Sequence, residues 1–316
     1  MANALALATC AAVVAVFGPR YLRRARWVWM APRLGVAAWQ ATSIAVIATA
    51  VLANLALAVN LTHLTADLAT FLDECSASLQ HGYTAPGGTA MSILGLSVVA
   101  GVGIRLTWCG TRRFVLVARE RRRAVCLLDV VARHGVVSDA LVLEHHEPFA
   151  FCVPGRRPRM IVTSALLASL NEDQISAVLE HERAHLRSRH HLVLLLSQVL
   201  SESLGRALPM LRTAREEVAQ LVEISADDAA RRSVGADLLR QALKGLVCGP
   251  STGMALAATA GDVHQRIRRL DAPRPRVAAP HVAAVAGAIG LMTLVPLSLV
   301  VAPVSIAAWQ IMCLVA

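Results

Sequence analysis

The sequence predicts a mainly α membrane protein with four transmembrane helices and one soluble α+β domain between the third and the fourth. Three observations predict it. The 316 residues are 56% hydrophobic with a mean hydropathy of +0.55, too apolar for an ordinary soluble domain. Four apolar stretches, at 2–18, 34–59, 90–108 and 282–302, are each about long enough to cross a bilayer. Between them, arginine-rich and arginine-free segments alternate as the positive-inside rule requires.

Residues 2–18 carry no charge and lack the basic start of a signal peptide, so they read as a short first span. Arg20, Arg23, Arg24, Arg26 and Arg33 follow in a 19–33 loop, with Trp27 and Trp29 suited to an interface. The second span occupies 34–59. The 60–89 loop then holds Asp67, Asp73 and Glu74 but no Lys or Arg. After the third span come Arg112, Arg113, Arg119, Arg121, Arg122 and Arg123. This alternation places the N-terminus and the 60–89 loop outside, and the 109–280 domain in the cytoplasm. Residues 281–316 are uncharged from 282 onward and supply the fourth span plus a short exterior tail. The expected location is the cell membrane, multi-pass.

The net charge of +10 and pI near 10.2 are absorbed by this topology, so no direct nucleic-acid partner is expected. Lys244 is the only lysine. The seven cysteines show no C-x-x-C pair and no metal-ligand spacing, which argues against a disulfide framework. The spans are nearly free of ionisable residues, which argues against a transporter.

Within the 109–280 domain, a helix is expected over about 114–134 and a strand at Leu141-Val142-Leu143. A hairpin is expected from Phe149–Val153 and Met160–Thr163 around Pro154-Gly155. Asn171-Glu172-Asp173 reads as the capped start of a long helix. Further helices follow around Glu223, over about 236–247, and up to Leu270, with Pro273 and Pro275 in a stiff linker. The apolar run Leu192–Leu196 is too short to span and reads as a buried or membrane-apposed helix.

The chemistry sits on the long helix. His181-Glu182-Arg183-Ala184-His185 reads H-E-x-x-H, which puts two imidazoles at i and i+4 on one helix face, able to grip one Zn²⁺. Glu182 can take a proton from a metal-bound water and pass it to a leaving amine. Glu223, in a second helical segment, is the candidate third ligand, and Asp227 one turn later can orient a ligand histidine. Glu216, Glu217 and Asp228 are rivals for the third position. If the helix continues, His190 and His191 lie about 140° and 240° around it from His185 and are expected at the interface, not at the metal. His134, His145 and His146 are expected at the surface. An intact Glu182 argues against a purely structural zinc site or signalling scaffold, because such a site needs no base.

These residues resemble the BlaR/MecR-type membrane zinc peptidases and, more distantly, the HtpX-type gluzincins. The resemblance runs from roughly 110 to 303. It rests on the H-E-x-x-H helix, the E-x-x-x-D at Glu223 and Asp227, and Phe149–Gly155 with Ile161–Leu167 ahead of the helix. It also rests on His264-Gln265-Arg266-Ile267-Arg268-Arg269-Leu270, similar to a closing H-x-R-I-x-x-L. It implies a gluzincin-like zinc endopeptidase domain with one Zn²⁺ per chain, His181, His185 and Glu223 as ligands, Glu182 as base and acid, and Asp227 behind a ligand. It further implies a protein or peptide substrate in regulated proteolysis, such as a BlaI-like winged-helix repressor or the chain itself. An HtpX-like quality-control role is the alternative, and a homo-oligomer stays open. The antibiotic-sensing members carry an exterior penicillin-binding domain after the last span. This sequence ends at Ala316, so such a sensor is expected to be absent. Phe149, Ala150 and Phe151 are expected to form an edge strand that pairs with extended substrate. With Tyr21 and Tyr83 the only tyrosines, His264, Arg231 and Arg266 are the candidate oxyanion donors.

Overall fold

The computed structural model describes residues 2–58, 88–134, 140–155, 158–248 and 254–271, with four isolated positions between 283 and 290. The expected exterior loop at 60–89 lies outside the described residues up to position 87, as does nearly all of the expected fourth span at 282–302 and its tail.

Helix α1 (Ala2–Arg24) runs six residues past its expected end, through Pro19. Its last turn carries Arg23 and Arg24, which complement the negative end of the helix dipole. The expected 19–33 loop is therefore mostly helix. A short α2 (Arg26–Met30) separates α1 from α3 (Pro32–Ala58), which opens with proline at a position where its missing N–H costs nothing. Helix α4 (Gly88–Val131) merges the expected third span and the expected 114–134 helix into 44 residues. That is about 66 Å, twice the hydrocarbon thickness. Gly110 alone weakens the helix between 108 and 114, and with no proline there it continues out of the apolar segment. Stretches of α1, α3 and α4 (Ala4–Arg24, Pro32–Leu57 and Ala90–Leu128) are long and apolar enough to cross a membrane.

The domain that follows begins with four strands: β1 (Arg133–His134), β2 (Leu141–Leu143), β3 (Ala150–Val153) and β4 (Arg159–Thr163). Their order is β1-β2-β4-β3, with β2 parallel to β4 and the other pairs antiparallel. The expected hairpin is present, and β3 lies at an edge of the sheet among the described residues. Thr163 fastens this edge. Its Oγ1 accepts from the N–H groups of Phe149 (3.1 Å) and Leu166 (3.2 Å) and donates to the Glu147 carbonyl (2.9 Å). The second of these caps α5 (Ser164–Ser169).

Helices α6 (Glu172–Arg187), α7 (His190–Leu204), α8 (Met210–Val234), α9 (Ala236–Cys248) and α10 (Met254–Asp271) complete the described fold. Helix α8 packs on α6 and α7 on one side and on α3 on the other. One apolar core joins β4, α6 and α9 through Val162, Leu166, Ile175, Leu179, Leu239 and Ala242. A second joins α8 to α2 and α3 through Val28, Ala38, Trp39, Val218, Leu221 and Val222. Gly35 permits that second contact. A Cβ there would stand 2.8 Å from the Val28 carbonyl oxygen and 3.1 Å from Leu221 Cδ1. The helix that carries Glu223 is thus docked directly onto the apolar N-terminal helices.

Candidate active site

Helix α6 starts where the sequence signals it. The Asn171 side chain accepts the Gln174 N–H (2.9 Å), and the Gln174 side chain accepts the Asn171 N–H (3.1 Å). This reciprocal cap stabilises the helix by about 1 kcal/mol. Ile175, Val178 and Leu179 bury its apolar face, which leaves His181 and His185 turned toward α8.

Glu223 meets them from α8. His181 Nε2 and His185 Nε2 are 3.1 Å apart, and each lies 3.5 Å from a Glu223 carboxylate oxygen. Tetrahedral ligands about 2.0–2.1 Å from zinc stand about 3.3–3.4 Å from one another, so this two-nitrogen, one-oxygen set fits a divalent cation of that kind. Among the described residues, these three side chains can share a metal ion. Two of the rivals are engaged elsewhere, Glu217 with Arg23 (3.2 Å) and Asp228 with Arg269 (2.7 Å), and Glu216 is exposed.

A carboxylate and an imidazole stand behind the two histidines. His181 Nδ1 lies 3.0 Å from Asp227 Oδ1. The approach is off the ideal N–H axis and no better-aligned acceptor is present among the described residues, so the contact is electrostatic at hydrogen-bond distance. Asp227 is 2% exposed and also receives Arg266 through Nε and Nη2, both at 2.7 Å. Arg266 Nη1 reaches Glu223 at 3.4 Å. One arginine from α10 therefore clamps the Glu223 and Asp227 carboxylates of α8.

Electrostatics follow from this packing. Burial opposes charge on His181, but Asp227 and Glu223 outweigh it and raise its pKa to about 9. Burial, together with the neighbouring His181 and His190, lowers His185 to about 4. Burial would raise both acids, yet the histidines and Arg266 hold Glu223 and Asp227 at about 2. Glu182 is the exception: burial, helped by the Glu223 charge, leaves it above the ordinary carboxylate range, as suits a proton carrier.

The site opens into a cavity of about 350 Å³ whose polar lining includes His181, Glu182, Glu223 and Arg266. Phe149 and Ala150, at the β3 edge, line it too, whereas Phe151 packs on the other face of the sheet against the Leu128, Val153 and Ile161 cluster. Of the expected oxyanion donors, only Arg266 lines the cavity, and it is committed to Asp227 and Glu223. His264 is exposed, and neither it nor Arg231 is part of the lining.

Two residues escape a reading of the sequence. His190, expected at the interface, is instead 6% exposed, with Nδ1 3.1 Å from His185 Nδ1. The helix does not continue: Ser188 and Arg189 interrupt it, and Arg189 adopts a left-handed conformation (φ 50°) that swings His190 back. His185 can then donate from Nδ1 and keep Nε2 free for a metal. Cys152 lies against Glu182, and burial, reinforced by that carboxylate, raises its thiol to about 12. Strand alternation from Ala150 is the signal in the sequence that could have found it.

An H-E-x-x-H helix, a carboxylate from a following helix and an adjacent sheet edge define the class of metal-dependent peptidases. The family comparison agrees. Residues 117–219 match Peptidase family M48. The matched segment contains His181, Glu182 and His185, and Glu223 follows it by four residues. No solved structure matches the chain.

Proposed function

We propose that this protein is a membrane-embedded zinc endopeptidase of the BlaR/MecR type that cleaves a cytoplasmic protein, such as a BlaI-like repressor, or itself. The observation that carries the peptidase reading is the convergence of His181, His185 and Glu223 beside a half-buried Glu182 of raised pKa. The arginine alternation supports a cytoplasmic domain. When bound, zinc supplies Lewis-acid polarisation and a water acidic enough to ionise near neutral pH.

The chain's own residues do the rest. Asp227 and His190 hold the two imidazoles with Nε2 turned inward. Glu182 takes the proton of the attacking water and returns it to the departing amine. The outer edge of β3 offers backbone N–H and C=O groups to an extended substrate, which aligns the scissile bond with Glu182. Arg266 keeps Glu223 and Asp227 ionised and fixed.

A second reading, HtpX-like quality control, is favoured by the apolar part of the cavity. Val178, Leu239, Leu243, Leu246 and Val263 would accept apolar side chains of unfolded membrane segments. The test incubates the purified chain in lipid nanodiscs with a winged-helix repressor and, separately, with an unfolded membrane protein. Cleavage of the repressor at one bond supports the regulatory role. Cleavage of the unfolded protein alone supports the second reading. Absence of chelator-sensitive cleavage of either removes both.

A further inference from the structure

A second cavity, of about 560 Å³, shares no lining residue with the catalytic one. Its polar lining is Arg33, Arg187, Ser188, His190, Ser225 and Arg232; the rest is alanine and valine, and no carboxylate lines it among the described residues. Arg187 is paired with Glu180 on its own helix (3.1 Å). The three arginines are exposed and form the rim, while His190 and Ser225 are buried in the floor. Two helices begin here, α3 just before Arg33 and α7 at His190, so their positive dipole ends face the same space.

Ser225 supplies an independent sign of a ligand. It is 3% exposed, and its Oγ is buried without a hydrogen-bond partner among the described residues. A buried hydroxyl left unpaired costs free energy that a bound acceptor would recover. Three guanidinium groups, two helix starts and an unpaired donor, with no lining anion, form a receptor for a tetrahedral oxyanion. Arg33 opens an apolar helix long enough to span, and basic pockets at such positions receive lipid headgroups.

We propose that this cavity binds a phosphate-class oxyanion, either the phosphodiester headgroup of an anionic lipid or a soluble phosphate. The floor residue His190 also contacts His185, so the occupant touches the side chain that holds a candidate metal ligand. The site stands on its own geometry and does not depend on the peptidase reading.

The test uses the full chain in phosphatidylcholine nanodiscs, titrated with inorganic phosphate against chloride at matched ionic strength and followed by calorimetry. Saturable binding is expected, weakened about tenfold in Arg33→Gln and in Arg232→Gln, and weakened in Ser225→Ala, while Arg215→Gln binds as wild type. Repeating the titration in nanodiscs containing phosphatidylglycerol separates the sources. Loss of phosphate binding there identifies the lipid headgroup as occupant, and unchanged binding identifies the soluble anion. No saturable binding in phosphatidylcholine, or binding insensitive to all three lining substitutions, overturns the proposal.

Discussion

Replacing Asp227 with asparagine probes the joint between metal ligand, helix α8 and helix α10. The substitution keeps the side chain's size and removes its charge. Asp227 falls from its ordinary 3.8 to about 2 because Arg266 and His181 outweigh its burial. At about 1.4 kcal/mol per pH unit, that shift corresponds to about 2–3 kcal/mol of stability from the ionised form. The pKa is lowered, so this contribution is full above about pH 4 and is lost as pH falls through about 2. The amide would also deprive the Arg266 guanidinium, 12% exposed, of its closest anionic partner, while Glu223 stays 3.4 Å away. Breaking one side of a buried pair typically costs about 3–5 kcal/mol, and the amide oxygen recovers part by accepting one bond. The expected net loss at neutral pH is therefore about 2–3 kcal/mol. Zinc affinity should fall about 10–100-fold because His181 loses its anionic orienter. Denaturant unfolding and chelator competition measure the two effects. A further substitution, Arg266→Met on top of Asp227→Asn, should restore part of the stability but not the affinity. Wild-type stability and wild-type zinc affinity in Asp227→Asn would refute the reasoning.

Glu223→Ala should lose metal as His185→Ala does, whereas Glu216→Ala and Glu217→Ala should retain it; metal content by mass spectrometry checks this, and full zinc in Glu223→Ala would reassign the third ligand. The acid limb of kcat/KM should lie above the ordinary carboxylate range, because Glu182 must be ionised and burial raises it. Cys152→Ala should move that limb further up, since the thiol stabilises the Glu182 anion, and a pH–rate profile with a fluorogenic peptide reads both. Cysteine-accessibility labelling from outside should reach a probe at Ala85 and miss one at Ser169, and the reverse pattern would remove a cytoplasmic substrate.

Much of the site is legible in the sequence because its determinants are local. Ligand spacing on α6 follows from 3.6 residues per turn, and the Asn171 cap and the Thr163–Ser164 start of α5 are set by neighbouring residues. Asp227 is legible for the same reason, one turn from Glu223. The sequence misleads where composition stands in for the start or stop of an element. Arginine content suggests ends to α1 and to the third apolar helix, but charge ends a span without ending a helix, so α1 and α4 run on. Conversely, nothing in the composition of Ser188–Arg189 marks a stop, yet a single left-handed residue ends α6 there, and that hides His190. Arg266 is visible as a candidate donor, but its role as a clamp depends on α10 packing beside α8, a long-range contact that no local pattern specifies.

The most direct test of the account measures zinc content and peptide turnover in the same preparation of Glu182→Gln. If His181, His185 and Glu223 bind the metal and Glu182 moves the proton, the variant keeps about one zinc per chain while turnover falls at least about 10²–10⁴-fold, the usual contribution of a general base. Turnover at the wild-type rate with zinc in place would contradict the role assigned to Glu182.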